Sequence, residues 1–189
     1  MGLVEWQHEL DMVIVGSNEF KFVTTPEIFQ QLTKNYTVSL IPSIANKNIT
    51  AGIIHITTAD QIKQLFPWFI SGKIIFYRSK EVMQAYNLRR QELTRMHSSV
   101  EEYIFDSMLS ARTHAFVLNE FPAFVGVPQL QEYLLWYTGD LSEKKAESVI
   151  LNMLSTKNID YTDFVFGEFA LNFKSVPQIP HYHVYLFTK

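Results

Sequence analysis

His181-Tyr182-His183-Val184-Tyr185-Leu186-Phe187 reads as a β-strand, because aromatic and β-branched residues dominate it and neither Gly nor Pro interrupts it. Successive strand side chains point to opposite faces, so His181, His183 and Tyr185 form one row and Tyr182, Val184 and Leu186 the other. The first row is polar and the second mostly apolar. That division suits a site built on one sheet face, with the other face in the core.

Upstream of this strand lies the loop Asn172 to Pro180, in which Pro177 and Pro180 limit the backbone and Lys174, Ser175 and Gln178 supply polar groups. Phe164 to Phe169 reads as another strand. Ser142 to Leu154 reads as a helix with an imperfect capping box formed by Ser142 and Glu143. Tyr133 to Tyr137 and Ala115 to Leu118 are two further strands, the latter ending at Asn119-Glu120-Phe121-Pro122. Strand, strand, helix, strand, strand is the order of an α+β domain with a largely antiparallel sheet.

From Ser79 to Ser110 a helical period takes over: Val82, Tyr86, Leu93 and Met96, then Val100, Ile104 and Met108, recur at three, four or seven residues. Arg89, Arg90 and Arg95 fall on the polar side, as a solvated face or as an anion clamp. The remaining N-terminal part alternates between strands and helices. Met12 to Val15, Lys21 to Val23, Thr37 to Ile41, Gly52 to Ile56 and Lys73 to Tyr77 are strand-like. One helix opens at Thr25-Pro26-Glu27 and another at Thr58-Ala59-Asp60. The organisation is therefore an α/β N-terminal extension over residues 1–77 and an α+β domain over residues 78–189.

Composition narrows the function classes. The 189 residues are 47% hydrophobic and only 19% charged, with 15 Phe, 9 Tyr and 3 Trp, a balance that folds and does not stay disordered. With no Cys, disulfides, thiolate nucleophiles and Cys-ligated zinc are all excluded, and a reducing compartment fits. A net charge of −3 argues against broad phosphate-backbone binding, so nucleic acid is not an expected partner. The longest apolar runs, such as Ile74-Ile75-Phe76, fall far short of the about 20 residues a bilayer crossing needs, so no membrane association is expected. The opening Met1-Gly2-Leu3-Val4-Glu5-Trp6 lacks the marks of a secretory signal or a myristoylation site, which gives a cytoplasmic expectation. The sequence leaves the oligomeric state open.

Asn119 and Glu120 are a polar pair at a strand end, where ligand-binding groups often sit. Trp136 either stacks on a base or fills core. The loop residues Asn172, Lys174, Ser175 and Gln178 could present amides, an ammonium and a hydroxyl to a phosphate.

In their order, these motifs resemble the fungal N-acetylglucosamine-induced protein 1 family, which is defined by a domain of unknown function. The matching residues are Asn119 with Pro122, Tyr133 with Trp136, Lys174-Ser175-Val176-Pro177, and His181-Tyr182-His183-Val184. The resemblance runs from about Arg78 to Lys189. More distantly, the C-terminal order is similar to the histidine-triad nucleotide-binding fold, with its His-φ-His-φ-His last strand and an Asn and a Gln in the preceding loop. Asn172 and Gln178 stand in that loop, His181 and His183 match the first two histidines, and Tyr185 stands where the third would be. The resemblance implies that His183 is a nucleophile toward an α-phosphate, and that Asn119 takes the place of the acid that holds the ribose hydroxyls.

Three readings of the His-x-His row follow. In the first, the chain is a nucleotidyl hydrolase or transferase: His183 attacks phosphorus, His181 orients or stabilises it, Tyr185 completes the row, and Lys174 with Ser175 steadies the non-bridging oxygens. In the second, the pocket binds a nucleotide, a nucleotide sugar or a protein without turnover. In the third, His181 and His183 join Glu168 or Glu120 around a metal ion, although no third ligand stands at a diagnostic spacing. The expected partner is a small-molecule nucleotide or nucleotide sugar, with no cofactor and no metal.

Overall fold

The computed structural model of the protein describes residues 9–44, 48–169 and 176–189. The chain divides into two compact units, Met1–Gln84 with Phe121–Pro128, and Ala85–Glu120 with Gln129–Lys189. The fold is α+β, and both of its sheets are antiparallel.

In the first unit, strands β1 (Glu19–Thr24), β2 (Val38–Leu40), β3 (Thr50–His55) and β4 (Ile74–Phe76) form a sheet in the order β2-β3-β1-β4. Helices α1 (Pro26–Asn35) and α2 (Ala59–Ile70) connect them, and the pairings are antiparallel throughout. Thr25 caps α1 through its hydroxyl, which accepts from Ile28 N, and Pro26 occupies the first turn, where its missing N–H is no loss. At α2 the Gln61 side chain accepts from Thr58 N at 3.2 Å and Thr57 N at 2.8 Å. Phe22 stacks on Phe29 on one face of β1, and Phe76 and Phe69 extend this aromatic core. Phe124 completes it, packing on Phe20, Phe69 and Phe76, which is why residues 121–128 belong to this unit.

Met12 to Val15 is not a strand. Residues 9–12 form a helical turn, and Met12 and Ile14 are exposed, so no sheet partner receives their alternation.

Helix α3 (Lys80–Met96) runs from the first unit into the second. It buries Leu93 but leaves Met96 exposed. Of its arginines, Arg89 is tied to Glu92 at 2.6 Å and lies over the Tyr103 ring, while Arg90 and Arg95 are exposed. α4 (Val100–Ile104) continues as a π-helical turn, Phe105–Leu109.

The second unit's sheet has the order β5-β6-β8-β7, built from β5 (His114–Leu118), β6 (Leu130–Tyr137), β7 (Asp163–Gly167) and β8 (His181–Phe187). Helix α5 (Glu143–Thr156) packs on one face through Ala146, Ile150 and Leu154, against Leu135, Tyr182, Val184 and Leu186. Ser142 precedes it in extended conformation but makes no capping hydrogen bond, so the expected capping box is absent. Glu143 stands at the first helical position, two before the third, which Lys145 occupies and from which the bond would be returned. Among the described residues, no helix is long and apolar enough to cross a membrane.

Candidate functional site

All seven residues of β8 are buried, so the His row does not lie on a solvent-facing surface of the sheet. Its face is packed by a second apolar cluster, in which Trp136, Ala115, Val176 and Ile179 meet Ile104 and Leu109 of α4 and the π turn. A polar row is thus set inside an apolar layer, where every hydrogen bond matters more than it would in water.

The strand register dictates which groups meet. Trp136 lies opposite His181, Leu134 opposite His183 and Glu132 opposite Tyr185. On the other side of β6, Asn119 N donates to the Glu132 carbonyl at 2.8 Å, extending the β5 ladder by one residue. Asn119, Glu132, His181, His183 and Tyr185 are therefore brought to one face, and all five are buried. On β7 the residue opposite His183 is Gly167, so that strand puts no side chain beside the imidazole. The Phe169 ring stands edge-on to His183 instead, with centroids 4.3 Å apart.

Two hydrogen bonds pin the histidines. His181 Nδ1 lies 2.9 Å from the Ile179 carbonyl oxygen, which can only accept, so Nδ1 carries the proton and Nε2 the lone pair. His183 Nδ1 lies 2.8 Å from Glu132 Oε1, and in a neutral ring donation to the carboxylate leaves the lone pair on Nε2. The two rings are 5.3 Å apart, and the His181 ring packs on Trp136 at 4.2 Å. His183 keeps 11% of its side-chain surface exposed and Glu132 only 4%. Glu132 Oε2 is fully buried and has no hydrogen-bond partner.

Glu132 is the residue that sequence reasoning missed. A signal was present: counting back in twos from Trp136 puts Leu134 and Glu132 on the same strand face, and a carboxylate sharing a face with a core tryptophan asks for a partner.

Of the residues expected at the site, the structure brings His181, His183, Tyr185, Asn119 and Trp136 together. Trp136 is buried against His181 and the α4 cluster. Tyr185, which the resemblance aligns with a third histidine, is 2% exposed. Glu120 is exposed just beyond the strand end, and Gln178 is exposed in the turn before β8. Asn172, Lys174 and Ser175 lie outside the described residues. Glu168, a possible third metal ligand in one reading, is exposed, and among the described residues no group of three His, Cys, Asp or Glu could hold a metal ion.

Chemically, the arrangement offers two imidazoles whose Nδ1 atoms are fixed, and the Nε2 of His183 is placed to act as nucleophile, base or hydrogen-bond acceptor. One of them is backed by a buried carboxylate. Comparison of the chain with protein-family models, with curated proteins and with solved structures finds no match in any of the three.

Proposed function

We propose that the second unit binds a nucleotide or nucleotide sugar and that His183 is its nucleophile toward the α-phosphorus, in the manner of the histidine-triad proteins it resembles. The observation that carries the reading is the Glu132–His183 hydrogen bond of 2.8 Å in a buried setting. It fixes the tautomer that leaves Nε2 with its lone pair, and it puts a carboxylate where the ring becomes positive as it attacks. In the first step the Nε2–P bond forms as the bond from phosphorus to the leaving group breaks, the leaving group taking the electron pair. Water then cleaves the phosphoramidate, releasing the nucleoside monophosphate and restoring the imidazole. His181, held through the Ile179 carbonyl, is the second imidazole within reach of the same phosphoryl group.

A second reading, binding of a nucleotide or a protein without turnover, is favoured by one observation. Tyr185 stands at the third histidine position and is buried in the sheet face, where it supplies no imidazole.

The test is a panel of nucleoside phosphoramidates, dinucleoside polyphosphates and nucleotide sugars given to wild type and His183→Ala, with circular dichroism as the folding control. Turnover by wild type that disappears in His183→Ala supports the catalytic reading. Without turnover, a nucleotide present at about 100 times its dissociation constant should still add about 2.7 kcal/mol of stability if the unit is a binding module. Neither turnover nor stabilisation would overturn both readings.

A further inference from the structure

The first unit holds a buried lysine for which the described residues supply too few acceptors. Lys21, in the middle of β1, is 4% exposed and shares its strand face with Val23 in an apolar cluster that also contains Leu10 and Ile44. An ammonium has three donors and no acceptor. One ammonium donor goes to the Leu10 carbonyl oxygen, and among the described residues the side chain makes no other hydrogen bond. Burial holds the amine below its ordinary lysine range, against the attraction of Asp11 and Glu81. Leaving two donors of a buried cation without acceptors is costly unless something else supplies them.

Beside Lys21 lies a cavity of about 310 Å³, the low end of small-molecule site sizes, lined also by Glu19, Tyr77, Ser79, Glu81 and Asn18. The charged residues that line it differ in exposure. Lys21 is buried, Glu19 is half-buried with one carboxylate oxygen accepting from Gly16 N at 2.6 Å, and Glu81 is exposed. The Glu81 carboxyl is held below the usual carboxylate range by its own backbone N–H and by the Ser79 hydroxyl, so it is ionised at neutral pH. A simple anion would satisfy Lys21 but meet two carboxylates on its way in. A simple cation would suit the carboxylates and leave the lysine donors unmet.

We propose that this cavity binds a small zwitterion of the amino-acid type, its carboxylate accepting from Lys21 at the inner end and its ammonium held between Glu19 and Glu81 at the outer end. This site is separate from the histidine face and stands on different residues.

The experiment uses the full chain in thermal-shift and calorimetric titrations against the free L-amino acids. Each amino acid is paired with the carboxylic acid that lacks its amino group and the amine that lacks its carboxylate. At least one amino acid should raise the melting temperature, and both single-charge counterparts should bind at least about tenfold more weakly. Glu81→Gln should weaken the amino acid by at least about tenfold, and its exposed position keeps folding intact. Lys21→Met should abolish binding. Because it also loses the Leu10 tether, Glu81→Gln remains the decisive variant if Lys21→Met fails to fold. The proposal is overturned if no amino acid stabilises the chain, if the acid without its amino group binds as well, or if Glu81→Gln binds like wild type.

Discussion

The Glu132 carboxylate makes one hydrogen bond, to His183 Nδ1, and leaves its second oxygen buried and unpaired. Replacing it with Gln keeps the shape and a carbonyl oxygen for Nδ1, but removes the charge that is incompletely solvated there. Glu132→Gln should therefore change stability by no more than about 1 kcal/mol, while a Glu132→Ala change that strands the imidazole should cost about 1–3 kcal/mol. If His183 is a nucleophile, Glu132→Gln should lower its turnover roughly 10²–10⁴-fold, since the developing positive charge loses its counter-charge. Urea denaturation alongside single-turnover kinetics separates the two effects; parallel losses of stability and rate would assign Glu132 a structural role only. The polar residues of the last strand could be read from a run of seven letters. Their partner could not, because it lies 51 residues away and only the β6–β8 register brings it to them.

At the level of elements, β6 divides its aromatic residues between two cores. Trp136 faces the histidines and the α4 cluster, while Tyr133 faces α5's side and stacks on Phe116 at 4.8 Å. Their spacing of three already places them on opposite faces. Trp136 is buried and Tyr133 only partly so, and Trp136→Ala should cost about 3–5 kcal/mol, with a smaller loss for Tyr133→Ala, measured by urea denaturation. In the other sheet, Gly52 of β3 has a different constraint. A Cβ there would lie 2.8 Å from the Ser39 carbonyl oxygen of β2 and 2.6 Å from the Phe29 ring. The ring can shift, but the paired backbone cannot do so without disturbing the ladder, so Gly52→Ala should destabilise by about 1–3 kcal/mol in the same assay. Element positions were legible wherever a local signal existed, as at Thr25-Pro26. They were misread at Met12 to Val15, where an apolar alternation has no neighbouring strand to pair with.

For the molecule as a whole, buried phenols set the alkaline limit. Burial pushes the Tyr77 phenol up to about 12 from an ordinary 10.0. Tyr36, Tyr133, Tyr137 and Tyr182 are raised too, with burial as the leading cause in each. A group whose value is raised by folding contributes stability that is complete below its unfolded value and is lost as pH climbs through its folded value. Stability should therefore fall between pH 10 and pH 12, and Tyr77→Phe should make that fall shallower. Lys21 has the opposite sign: its value is lowered by folding, so its contribution improves as pH rises toward 10.5 and cannot produce the decline. Urea midpoints measured across this range for wild type and Tyr77→Phe are the check, and identical slopes would show that Tyr77 is not responsible.

The sequence by itself determined the α+β class, the helix starts, the succession of strands and helix in the C-terminal part and the shared face of His181 and His183. These follow from hydrophobic period, capping residues and the two-residue repeat of a strand, all of which act over a few neighbouring residues. Only the tertiary structure decided that both faces of β8 are buried, that Glu132 holds His183, that residues 121–128 join the N-terminal unit and that Lys21 lines a cavity. Each of these depends on which distant segments pack together. The letters of β8 look half-polar on their own, and it is the Ile104, Leu109 and Trp136 layer laid over them that takes the histidines out of water.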